Sequence, residues 1–243
     1  PPETARKIIH LDTLPDEFDG IVIGNEVLDA MPVELIRKEG GNFQQIGVSI
    51  KNGEFVQVPQ TLAAPTLLRS AENYFRDAEP YTSELHPAQH AFVHTVASKL
   101  RRGGMIFIDY GFDAAQYYHP QRHMGTLIGH YRHHTVHDPF FLPGLTDLTA
   151  HVNFTDIAQA ATDAGLDLIG YTTQANFLLN LGITDLLAQT GHPDTAAYLT
   201  AAAAVQQLVN PHEMGELFKV IAFGKNIGTN WQGFAFGDIC HTL

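Results

Sequence analysis

Apolar and polar positions recur along this chain in a strand–helix–strand order. "RKIIH" at 6–10 and "GIVIG" at 20–24 are short continuous apolar runs. Runs that are apolar on both faces belong to parallel sheets covered by helices, so both are expected as buried strands. "FQQIGVSIKNGEFVQV" at 43–58 alternates instead, with Asn52-Gly53 between the two alternating halves. Asn-Gly favours the left-handed conformation that a type I′ turn needs at both central residues. This predicts an antiparallel hairpin pairing Ile50 with Phe55, set into the chain as an insertion over 33–60.

Farther on, "HPAQHAFVHTVASKL" at 86–100 places Pro87 in a first turn and Val93, Val96, Ala97 and Leu100 on one stripe, which predicts a helix. Gly103-Gly104 reads as its stop, and "MIFIDYG" at 105–111 as a buried strand ended by Asp109. "FTDIAQAATDAGLDLIGY" at 154–171 repeats the order, with Gly165 as the helix stop. "TAAYLTAAAAVQQLV" at 195–209 is rich in strong helix formers, and "LFKVIAF" at 217–223 is a last strand. The alternation predicts an α/β fold, one sheet with helices on both faces. The hairpin and the helical segment 173–209 are expected to form a lobe over the strand ends.

Ligands of open α/β sheets bind at the carboxyl ends of the strands. Two strands here end in polar residues, "GIVIG" in Asn25-Glu26 and "MIFI" in Asp109. They are expected to be parallel neighbours, with Asn25 and Asp109 at one edge.

Charge narrows the partners. Lys plus Arg number 14 and Asp plus Glu 26, for a formal net charge of −12. Such a surface repels phosphate backbones, and the densest basic spot, Lys99, Arg101 and Arg102, falls at an expected helix end, where cations suit the helix dipole. Nucleic acid is therefore not an expected partner. No apolar run approaches the length of a membrane span. Cys240 is the only cysteine, so no disulfide forms within the chain, as suits a reducing compartment. The chain starts without methionine and without a signal-peptide pattern.

Asn25, Glu26 and Asp29 can be read in two ways. Carboxylates and an amide at a crevice can hold a guanidinium or an amine by charge-assisted hydrogen bonds. Equally, Asn25 could cap a helix whose first turn carries the acids. "HYRHHTVH" sets His130, His133, His134 and His137 at a spacing that would allow zinc ligation on a helix. Gly125, Gly129 and the strand-like "TLIGHY" argue against a helix there, so a solvated polar loop is the expectation and no metal site is assigned. Asp147, Thr149 and His151 alternate and could share one strand face, as a reactive edge or as a hydrogen-bonded turn. No G-x-G-x-x-G, Walker A or G-x-S-x-G pattern occurs.

"NEVLDAMPVELI" resembles the N-E-x-x-D-A-x-P signature of the MidA-like proteins, a family that includes the mitochondrial complex I assembly methyltransferase. The resemblance continues through "YTSELHP", "GGMIFIDYG", "GTLIGHYRHHTVHDPFFLPGLTDLTAHVNF", "TTQANFLLNLGI" and "EMGELFKVIAFGK", and "GFAFGDICHTL" is similar to the bacterial branch. It implies a Rossmann-like class I methyltransferase sheet and S-adenosyl-L-methionine as cofactor. It also implies a protein substrate methylated on arginine, a respiratory complex I subunit in the eukaryotic case. Bacterial members would be cytoplasmic and the eukaryotic relative mitochondrial. By motif, Glu26 and Asp29 carry over as catalytic residues and Asn25 as cofactor-binding. Glu84, Asp109 and His134 carry over as further polar positions on the substrate side.

The front of the chain departs from the family. A Gly-rich cofactor loop and an acidic residue for the ribose should come first in such a fold, and neither is present. Residues 1–243 are thus expected to be the C-terminal major part of one methyltransferase domain. On the order of ~60 residues, two βα units, would lie upstream. The other reading of the hairpin is a homodimer contact through its apolar positions. The other reading of the whole is an assembly or binding protein that keeps the fold without catalysis.

Overall fold

Phe18–Asn25 forms strand β1, in a computed structural model that describes residues 7–75 and 79–243. Then follow β2 (Glu34–Glu39), β3 (Asn42–Lys51), β4 (Glu54–Thr61), helix α1 (Pro65–Tyr74), β5 (Tyr81–Leu85), α2 (Pro87–Lys99), β6 (Leu100–Phe112) and the short α3 (Ala114–Tyr117). The second half holds β7 (Ile128–Tyr131), β8 (His134–Val136), β9 (Asp147–Thr149), β10 (Val152–Asn153), α4 (Phe154–Asp163) and β11 (Asp167–Thr173). It continues with α5 (Gln174–Asn180), α6 (Ile183–Ala188), α7 (Ala196–Val209), α8 (Met214–Leu217) and β12 (Phe218–Lys225).

The main sheet has the order β1-β6-β12-β11, with β10 also paired to β6. β1 and β6 run parallel with Asn25 opposite Ile108, as expected, and β12 and β11 run antiparallel to their neighbours. Residues of β6 alternate between two cores. Met105 and Phe107 pack with Val93, Val96 and Ala97 of α2 and Ile157 and Ala161 of α4. Ile106 and Ile108 face the opposite layer, where Phe177 of α5 and Phe234 meet Val220 and Ala222 of β12. Helices thus cover both faces. Burying each large side chain here contributes about 1.5–3 kcal/mol. Within 173–209, Phe177 joins this layer, whereas no residue of α7 is buried.

Several sequence expectations need correction. "RKIIH" is no strand from Lys7 onward: Ile8 and Ile9 are exposed, and no described strand pairs with them. Arg6 lies outside the described residues. β1 is covered on one face only. Val22 packs into the first core, but Ile21 and Ile23 on the other face are 55% and 69% exposed, because the second layer stops over β6. Gly103-Gly104 does not stop a helix. α2 ends at Lys99 as Leu100 turns extended, and both glycines lie inside β6. A Cβ on Gly103 would fall 1.8 Å from the Gly20 carbonyl oxygen of β1, so the two backbones meet at glycine. β6 also runs past Asp109 to Phe112.

A second sheet has the order β4-β3-β2-β5, antiparallel throughout. Its β3–β4 turn is the predicted hairpin, with Ile50 opposite Phe55 and with Asn52 and Gly53 at φ 55° and 84°. A Cβ at Gly53 meets nothing within 4 Å. Gly53→Ala is therefore expected to cost only the left-handed backbone penalty, about 1–2 kcal/mol, a fall of roughly 2–8 °C in melting temperature for a chain of this size. A calorimetric scan showing no fall would mean that the turn changes type at no cost.

β8-β7-β9 form a third, three-stranded sheet. The histidine stretch is thus a tight hairpin rather than a loop, with Arg132 and His133 at φ 48° and 65° in its turn. Among the described residues, no helix is long and apolar enough to cross a membrane.

Candidate functional site

The parallel pairing of β1 and β6 delivers two polar ends to one edge of the sheet. Glu26 donates its backbone N–H to the Ile108 carbonyl at 3.0 Å, one residue before Asp109. Glu26 itself sits at φ 50°, in the left-handed region that bulky L-residues avoid. Residues held in such conformations cluster at functional sites. Asn25 and Glu26 are both exposed, and the Asn25 Nδ2 donates to Glu26 Oε1 at 3.1 Å. No helix starts here: the chain enters a turn in which the Met31 N–H donates to the Leu28 carbonyl. The helix-cap reading of Asn25 and Glu26 therefore falls away.

Behind this rim lies a buried acidic pair. Asp109 Oδ2 accepts from the Leu28 and Asp29 amides at 3.0 and 3.3 Å, and its Oδ1 from the Tyr110 amide at 3.0 Å. Asp29 Oδ2 accepts from the Tyr110 hydroxyl at 2.5 Å, and the Asp29 carbonyl accepts from the Ala150 amide at 3.0 Å. Asp29 Oδ1 is buried without a donor. A buried acceptor left open is costly, so it marks a place where a donor belongs.

Burial first, and then the charge of Asp29, push the Asp109 carboxyl up to about 7 against its three amide donors. Burial and the bond to Asp29 also raise the Tyr110 phenol, which stays a donor. The raised Asp109 fixes a sign. Between about pH 4 and 7 the folded chain holds a proton that the unfolded chain has released, so this group's contribution to stability falls as pH rises through that window. Asp29→Asn removes the neighbouring charge. Urea melts across pH 4–7 are expected to show a shallower fall than in the parent protein. An unchanged slope would assign the proton to burial alone.

Tyr110 was not singled out by the sequence, because its contact with Asp29 spans 81 positions. Its ring meets His151 edge-on at 5.2 Å, and His151 stacks on Phe112 at 5.3 Å. Burial, helped by Arg122 and Lys219, lowers the His151 imidazole to about 4, so it is neutral beside the pair. Of the alternating trio, Thr149 is buried and His151 reaches the site, while Asp147 is exposed.

Glu84 and His134 are the other residues expected on the substrate side. Glu84 is fully buried, and its carboxylate accepts from the amides of Thr126 and Leu127 and from the Tyr117 hydroxyl. His134 is exposed, opposite Tyr131 at the start of β8. Among the described residues, no three His, Cys, Asp or Glu side chains are gathered as metal ligands.

A parallel β1–β6 pair that carries an acidic rim on its carboxyl edge, within a sheet where β12 alone runs against the other strands, defines an α/β crevice of the ligand-binding type. The profile of the family described as "Putative S-adenosyl-L-methionine-dependent methyltransferase" matches residues 2–172, more than half of the chain, and the chain belongs to that family. It is 28% identical over 220 residues to the mitochondrial protein arginine methyltransferase NDUFAF7 of Danio rerio, and 30% identical over 179 residues to the Caenorhabditis elegans homologue. These alignments cover 86% and 71% of this chain but 48% and 39% of the relatives. The crystal structure of a Burkholderia thailandensis protein bound to S-adenosyl-homocysteine superposes with a TM-score of 0.96 at 50% identity, covering all of this chain and 62% of that one. The fold is of the class I methyltransferase type.

The residues present fit one side of such a cofactor site. Asn25 and Glu26 form an open rim at the strand ends, where the Asn25 amide donates to a Glu26 carboxylate suited to a cationic group. No Gly-rich phosphate-type turn is found among the described residues.

Proposed function

We propose that this chain forms the acceptor side of an S-adenosylmethionine-dependent methyltransferase whose substrate is an arginine side chain of a protein. The buried Asp29 Oδ1 without a donor, three residues after the exposed Glu26 at the end of β1, carries the reading. The cofactor would supply a methyl group on a cationic sulfonium. A guanidinium is itself cationic, so its approach needs compensating negative charge. Glu26 and Asp29 offer it, and a carboxylate can accept two parallel bonds from the planar guanidinium. Tyr110 fixes the Asp29 carboxylate through Oδ2 and leaves Oδ1 for the substrate. Asn25 steadies Glu26 through its amide, and its role in this reading is to contact the cofactor. Catalysis of this kind rests on proximity and orientation more than on acid–base chemistry. Two relatives carry the name protein arginine methyltransferase, which supports the acceptor assignment.

Two measurements on the intact protein test the proposal. Calorimetric titration with S-adenosylmethionine is expected to show saturable binding. Incubation with isotopically labelled cofactor and arginine-containing protein is expected to yield methylarginine on hydrolysis. Cofactor binding without transfer to any protein would favour a binding protein that keeps the fold.

A further inference from the structure

An uncharged groove of about 380 Å³ lies between the β3–β4 hairpin and the segment before β9. Val48 and Phe55 line one wall, and Phe140, Pro143 and Leu148 the other. Phe55 and Phe140 stack across it with ring centroids 5.8 Å apart. None of its lining residues is ionisable. Val48, Phe55 and Leu148 are 57%, 46% and 40% exposed, unusual for apolar residues that share a concave surface.

Two connections tie this groove to the acidic rim. Leu148 precedes Thr149 and Ala150, and the Ala150 amide is bonded to the Asp29 carbonyl at 3.0 Å. Val33 and Leu35, which also line the groove, follow Asp29 by four and six residues. At about 3.3 Å per residue, the Leu148 end lies within about 7 Å of Ala150 along the strand. An uncharged trough thus leads to a rim that carries the Glu26 carboxylate.

We propose that the groove docks an extended segment of the methylated protein whose apolar side chains flank the reacting arginine. The assignment rests on the arginine-methyltransferase reading of the rim. It is favoured over a second copy of this chain by charge: each copy carries −12 and repels another, whereas a segment bringing an arginine adds positive charge beside the Glu26 rim. The arrangement would separate two tasks, with apolar contacts giving affinity and the carboxylates selecting the cation.

The test uses fluorescein-labelled twelve-residue peptides read by anisotropy with the intact protein. One carries alternating leucine and phenylalanine followed by a single arginine. A second has serine at the apolar positions, and a third has glutamine for arginine. The apolar peptide is expected to bind at least tenfold more tightly than the serine peptide. Val48→Ser with Leu148→Ser, both at exposed positions, is expected to abolish that advantage while melting stays cooperative. Glu26→Gln is expected to leave the advantage in place and to erase only the preference for arginine over glutamine. No preference for arginine in the parent protein, with the apolar advantage intact, would sink the arginine reading and spare the groove. Equal binding of the apolar and serine peptides would overturn the groove. So would sedimentation of the parent as a dimer that the double variant dissociates, with peptide affinity unmoved, since a second copy would then be the occupant.

Discussion

Glu26→Gln is expected to lower methyl transfer by about 30- to 1000-fold while the protein keeps its fold. The substitution preserves size and removes the charge. Glu26 is exposed, and its carboxylate accepts from the Asn25 amide. No helix begins at this turn, so no capping contribution is lost. The left-handed backbone at φ 50° is strained equally by glutamic acid and by glutamine. What changes is the field at the crevice mouth. Once bound substrate and cofactor close the crevice to water, removing one preorganised charge costs roughly 2–4 kcal/mol of transition-state stabilisation, which is the stated range of rate. Initial rates with saturating labelled cofactor, alongside a thermal melt, separate the two effects. Parent-level turnover in a well-folded Glu26→Gln protein would remove this carboxylate from the reaction.

Some of this site could be read in the residue pattern because local rules fix it. Asn52-Gly53 sets the hairpin register by turn geometry alone, and Gly165, at φ 82°, ends α4 as the helical periodicity requires. Asn25 and Asp109 reach one edge because two apolar runs of matching length pair in parallel. What escaped depends on contacts distant in sequence. The exposed face of Ile21 and Ile23 looks apolar, but a run of residues does not say where its covering layer stops. The Gly103-Gly104 pair gives the same local signal for a helix stop and for two strands meeting at close range; the Gly20 carbonyl decides it. Tyr110 lies inside the quoted "GGMIFIDYG", but nothing local gives it a role. Its role follows from an aspartate in another part of the chain, and so does the shared burial that sets the acidity of Asp109.

Glu84→Ala is expected to be the most destabilising single change considered, at about 3–5 kcal/mol. Glu84 is fully buried, and the Thr126 and Leu127 amides reach its Oε1 at 2.8 Å each, while the Tyr117 hydroxyl reaches Oε2 at 2.9 Å. Removing the carboxylate strands two amide donors in the interior, where each unmet group costs roughly 1–3 kcal/mol. The Tyr117 hydroxyl can still turn to Thr126 Oγ1 at 2.9 Å, so its loss counts for less. Glu84→Gln should be milder, because an amide oxygen can keep the two backbone donors; about 1–2 kcal/mol is expected. The consequence reaches the acidic pair. Thr126 Oγ1 accepts from the His151 amide at 3.0 Å, and the His151 ring braces Tyr110, which holds Asp29. On the proposed function, loosening the Thr126 loop should therefore raise KM for the protein substrate even in the folded Glu84→Gln variant. Urea unfolding of both variants gives the ranking directly. A loss below about 1 kcal/mol for Glu84→Ala would mean that water takes the place of the carboxylate, and that the Thr126–His151–Tyr110 chain stands without it.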